Sequence, residues 1–218
     1  AAVKRITKGK LGEDRATVFV TSEYQDGFLT DLFVLQGKDV QNAGVDVSGK
    51  PAFSTYCAYP LDIDGDGVTE FAVDASRAPE KDAEVWDLVW RAYDPEVGLK
   101  DKAYTQYCDV GNWYVTLPLD WKGSVRARYR ALSSTMTKVE FSAEGSSLFT
   151  LFVLTGEKRA ATASDKGLIK LTEQGSTLYA AKLNAAEFRG VAMTEDWLRA
   201  AFRLRENTWK TGDPTMQQ

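Results

Sequence analysis

Histidine is missing from all 218 residues. That excludes a Ser-His-Asp triad, a Cys-His pair, His-ligated zinc and acid–base catalysis by imidazole. Cysteine is scarce. Cys57 and Cys108 stand alone, without C-x-x-C spacing, so neither a zinc ribbon nor a thioredoxin motif is present. The pair suits either one bridge of an exported protein or two free thiols packed as small hydrophobes. Long apolar runs are missing too. The longest, Leu148–Leu154, is interrupted by Thr150 and falls well short of the roughly 18 residues of a spanning helix. The start, Ala1-Ala2-Val3-Lys4, lacks the apolar segment of a signal peptide. A cytoplasmic protein, a processed mature chain and a shortened chain all fit that start.

Basic charge is in slight deficit, with 27 Lys and Arg against 31 Asp and Glu, for a net charge of −4. The missing basic field argues against a nucleic-acid partner. The deficit is local. Residues 62–109 hold thirteen acids and five bases, whereas 110–218 hold eleven acids and fifteen bases. The middle block therefore favours cations. The bases Lys122, Arg126, Arg128 and Arg130 read as a solvated face.

Apolar residues at 44% and charged residues at 27% are ordinary for a folded domain. The length suits one large or two small domains. Strand formers dominate. Ala16–Thr21 and Phe28–Leu35 flank the turn Gln25-Asp26-Gly27 and predict a hairpin. Val40, Val45 and Val47 predict a short edge strand, and Ser76 to Asp82 a polar loop. Further strands are expected over 53–59, 70–73, 85–93, 102–108, 113–117, 125–132, 138–143 and 147–155. Leu168–Leu171 and Thr177–Leu183 predict a second hairpin. A short helix is expected within 157–166. Thr194 followed by Glu195 and Asp196 opens another helix, with Leu198, Ala201 and Phe202 as its apolar stripe. The fold expected is mainly β (α+β). Antiparallel, blade-like sheets over 1–110 precede a smaller α+β domain over 111–212, which has a twisted antiparallel sheet and a C-terminal helix. A frayed tail covers 213–218.

One stretch carries chemistry: Asp62-Ile63-Asp64-Gly65-Asp66-Gly67-Val68-Thr69-Glu70. Carboxylates at positions 1, 3 and 5 converge if the backbone curls, and Gly67 at position 6 permits the turn. The Val68 carbonyl supplies a neutral oxygen, and Glu70 closes the sphere directly or through water. Such an oxygen cage suits a hard cation, calcium best of all. Four like charges in nine residues repel one another without one. Position 12 is Val73 rather than glutamate, and strands flank the loop, so it is not an EF-hand.

The segment Tyr59–Val73 around this loop resembles the repeat of FG-GAP and VCBS proteins, in which a calcium loop precedes a propeller strand. The resemblance runs from about Arg15 to Cys108 and implies about two blades, too few to close a propeller of four or more. It implies either further blades upstream or packing against the C-terminal half. Residues 112–123, 148–156 and 177–181 resemble the C-terminal region of FG-GAP-containing cell-surface lipoproteins of Gram-positive gut bacteria. The Leu117-Pro118 strand end followed by Trp121 also resembles PsbP-like domains at the level of fold. These likenesses imply an exported or cell-surface protein, lipid-anchored in a longer form, with calcium as its cofactor.

No catalytic residues are singled out. The serine pairs Ser133-Ser134 and Ser146-Ser147 lack a base and a nucleophile elbow. A glycosidase needs two carboxylates about 5–10 Å apart in a cleft, and no pair stands out. Trp86, Trp90, Trp113 and Trp121 invite sugar stacking but read first as packing residues. The expected function is a non-catalytic calcium-binding module for an extracellular protein or glycan. The alternatives are a glycan hydrolase with paired carboxylates and a purely structural propeller domain.

Overall fold

The computed structural model describes residues 2–12, 15–46, 48–75 and 84–205. Val47, the loop 76–82 and the 213–218 tail of the sequence reading lie outside them. The first sheet joins β1 (Ala2–Leu11), β2 (Arg15–Tyr24), β3 (Gly27–Gln36) and β4 (Asp39–Asn42) in that order, with β5 (Phe53–Ser54) also paired to β3. Pairing of Tyr24 with Gly27 leaves the two-residue turn Gln25-Asp26, with Gln25 at φ 52°. The strand expected over 53–59 is only the two residues of β5, and Val45 makes a lone bridge to Pro51.

The middle sheet begins with β6 (Phe71–Asp74), β7 (Val85–Asp94), β8 (Gly98–Cys108) and β9 (Trp113–Leu117). Its far edge is β17 (Phe202–Leu204), which pairs with β9. The third sheet contains β10 (Val125–Ser133), β11 (Met136–Ala143), β12 (Ser146–Thr155), β14 (Thr177–Leu183) and β13 (Ile169–Gln174), in that spatial order. Helix α1 (Arg159–Asp165) connects β12 to β13. A small hairpin, β15 (Glu187–Phe188) and β16 (Val191–Ala192), leads into α2 (Glu195–Ala201). Among the described residues every strand pairing is antiparallel. Among the described residues the chain is thus mainly β with two short α-helices, as its composition predicts. None of the helices among the described residues is long and apolar enough to cross a membrane.

The Thr194 hydroxyl accepts the Trp197 N–H at 3.1 Å and caps α2, and Glu195 and Asp196 fill its first turn. Phe202 does not extend the helical stripe as expected. Its backbone is already extended (φ −81°, ψ 134°), and it opens β17 opposite Val115. Pairing with β9 satisfies backbone groups that another helical turn would have used internally.

The main core draws on all three sheets: Phe19 and Leu32 from the first, Phe71, Val89 and Tyr104 from the middle, and Phe141, Phe149 and Leu151 from the third. Phe141 and Phe149 stack with centroids 4.3 Å apart. A second, smaller core covers the other face of the middle sheet. There Leu88, Trp90, Ala103 and Tyr107 meet Ala58 and Ile63 from the segment between β5 and β6. Consequently β8 is buried on both faces from Ala103 to Cys108, where alternation alone would have left one face wet. Trp90, Trp113 and Trp121 are fully buried; Trp86 is half-buried against Tyr56. The division expected between 110 and 111 falls inside the middle sheet, between β8 and its partner β9. Cys57 and Cys108 are both free thiols.

Candidate metal centre

The acidic loop is pinched shut at its base. Leu61 and Glu70 form an isolated antiparallel bridge, each N–H donating to the other's carbonyl at 3.0 and 2.9 Å. Between them the backbone turns twice through left-handed glycines, Gly65 at φ 82° and Gly67 at φ 85°, a region side chains disfavour. The carboxylates fold the loop around themselves. Asp62 accepts the N–H of Gly65 at 2.7 Å and of Gly67 at 2.9 Å. Asp64 accepts from Asp66 N–H at 3.2 Å, and Asp66 from Val68 N–H at 2.9 Å.

Two anchors fix the loop to the body. Ile63 inserts into the second core. Thr69 grips β1: its N–H donates to the Lys10 carbonyl at 2.9 Å, and its hydroxyl accepts the Lys10 N–H at 3.0 Å. The close approach needs Gly9, where an added Cβ would lie 2.5 Å from Phe19 Cε2 and 2.9 Å from Thr69 Cβ.

Of the five residues the sequence nominates, three converge. Asp62, Asp64 and Glu70 each present a carboxylate oxygen within 4.8 Å of the others. Asp62 and Asp64 are exposed at the rim, and Glu70 is the floor, with 0% of its surface exposed. One Glu70 oxygen accepts the Ile63 N–H at 3.1 Å. The other, Oε1, is buried without a hydrogen-bond partner. Burial raises the Glu70 carboxyl to about 7, the Ile63 N–H opposes that rise, and Asp64, Asp66 and Asp62 add to it. Asp66 stands outside the triad. Its Oδ2 lies 2.5 Å from Lys102 Nζ, which also sits 3.9 Å from Asp64. Lys102 holds the Asp66 carboxyl below its usual range. Val68 enters through the N–H that it gives to Asp66.

Lys102 is the residue that local reading misses. It is 36 positions from Asp66, and no spacing rule links them. The residues present fit a hard cation: an orphaned buried carboxylate oxygen and two further carboxylates, all oxygen donors, surround one point. No protein-family model, curated protein or solved structure matches the chain.

Proposed function

We propose that residues 62–70 hold a structural calcium ion in a non-catalytic module of an exported or cell-surface protein, whose partner is a protein or a glycan. The observation that carries the reading is Glu70 Oε1, fully buried and unpartnered beside two other carboxylates. An uncompensated buried carboxylate is costly, and a divalent cation is the compensation this donor set suits. Asp62, Asp64 and Glu70 would supply the first oxygens, with Asp66 and the Val68 carbonyl completing the set. Calcium accepts many oxygens in flexible geometry, whereas magnesium keeps more of its water. Its contribution there is charge neutralisation, which fixes the entry into β6. The resemblance of Tyr59–Val73 to FG-GAP and VCBS repeats supports the same reading. A calcium site of modest affinity in turn supports an exported location, because extracellular modules work with such sites.

Thermal melting in calcium and in chelator tests this. Calcium is expected to raise the midpoint of the wild-type chain, and Asp64→Ala should abolish the rise. An unchanged midpoint, in wild type and variant alike, would sink the structural-calcium reading.

A further inference from the structure

Lys102 sits at a break in the β7–β8 register. Trp90 faces Ala103 and the next pair is Arg91 with Asp101, so Lys102 is the extra, unmatched residue of a bulge. Bulges re-aim side chains that strict alternation would send elsewhere. Here the ammonium reaches across to the loop, 2.5 Å from Asp66 and 3.9 Å from Asp64. The carboxylate next to it in sequence does not compete for it. Asp101 is engaged by Arg91 at 2.9 Å and by Lys122 at 2.7 Å.

We propose that Lys102 is a built-in counter-cation that competes with the metal for Asp66 and so sets the calcium affinity of the loop. This rests on the calcium reading above. One Asp66 oxygen is committed to the Val68 N–H, so the other, Oδ2, has either the lysine or a metal as its cation. Three converged carboxylates fall short of the six to eight oxygens calcium takes, and Asp66 is the nearest acid left in the loop. Binding with the full set therefore exchanges one cation for another at Oδ2. The released ammonium swings into water at small cost, because its side chain is already about a third exposed (32%). The loop is thereby kept ordered without metal, and the calcium concentration that fills it is raised.

Calcium titration calorimetry on the full chain, at fixed ionic strength, tests this with a double-mutant cycle of wild type, Lys102→Met, Asp66→Asn and the double variant. Lys102→Met is expected to bind calcium about tenfold more tightly, the scale of one nearby positive charge at a partly exposed site. In the Asp66→Asn background the same change should gain only about twofold. Equal gains in both backgrounds would show that Lys102 acts as a diffuse positive charge, and an unchanged affinity would show that it does not compete; either overturns the proposal while leaving the calcium site standing. Calcium binding by none of the four chains overturns the calcium reading itself. Lys102→Gln keeps a polar but uncharged side chain at the bulge and serves as the second variant, with circular dichroism of the metal-free forms as the check on folding.

Discussion

Replacing Glu70 by glutamine is expected to stabilise the metal-free protein and to remove most of its response to calcium. Glutamine keeps the shape, can still accept the Ile63 N–H, and presents an amide to Asp62 and Asp64 instead of a third charge. The magnitude follows from the raised carboxyl, about 7 against an ordinary 4.5. The folded protein then holds the Glu70 proton more tightly than the unfolded chain. Its stability relative to the glutamine variant is therefore greatest below about pH 4.5. It is lost as the pH rises to about 7 and is constant above that. A gap of this size corresponds to about 3 kcal/mol at pH 8. For a chain of this length that is a midpoint shift of about 6–12 °C. The assay is thermal melting in chelator at pH 5 and pH 8. Comparison of the two chains isolates Glu70 from Asp66 and Asp101, whose carboxyls are lowered and act in the opposite direction. Glu70→Gln should melt well above wild type at pH 8 and nearly with it at pH 5. A variant less stable than wild type at pH 8, or an equal difference at both pH values, would refute the buried-charge argument.

Three further outcomes are expected. Phe149→Ala, at a fully buried ring stacked on Phe141, should lower unfolding free energy by about 3–5 kcal/mol in urea titration. Gly9→Ala places a methyl against Phe19 and Thr69; it should cost about 1–3 kcal/mol by melting and weaken calcium binding by loosening the Thr69 anchor. The Cys108 thiol is buried and pushed up to about 12, so iodoacetamide and mass spectrometry should find Cys57 alkylated well before Cys108 in the native protein.

The strands with clear β-branched or aromatic patterning were legible in the sequence, among them β2, β3, β7, β9, β11 and β12. Strand β1 was not. Its inward positions are Arg5, Thr7, Gly9 and Leu11, so the face toward the body has no apolar rhythm. Arg5 is buried with its guanidinium over the Tyr59 ring, 4.6 Å from the centroid, and Gly9 is there for closeness. Strand β17 was hidden for a different reason. Phe202 continues the spacing of Leu198 and Ala201, and only the open edge of β9 draws it out of the helix. In the loop, spacing was enough to nominate Asp62, Asp64 and Glu70, because they lie within one turn system. Nothing local could say that Asp66 meets a lysine from a bulge in another strand, or that Glu70 forms the dry floor while its neighbours stay wet.

The middle sheet also imposes an order on synthesis. Strands β6 to β9 are complete by residue 117, yet among the described residues it is 202–204 that pair with the edge of β9. A chain emerging from its N-terminus thus carries an unpaired β9 edge while the whole third sheet is being made. Unpaired edges of this kind invite pairing with other chains. The short strand β17 works as a clasp: three residues, made long after the edge they close, remove the site at which another chain could pair.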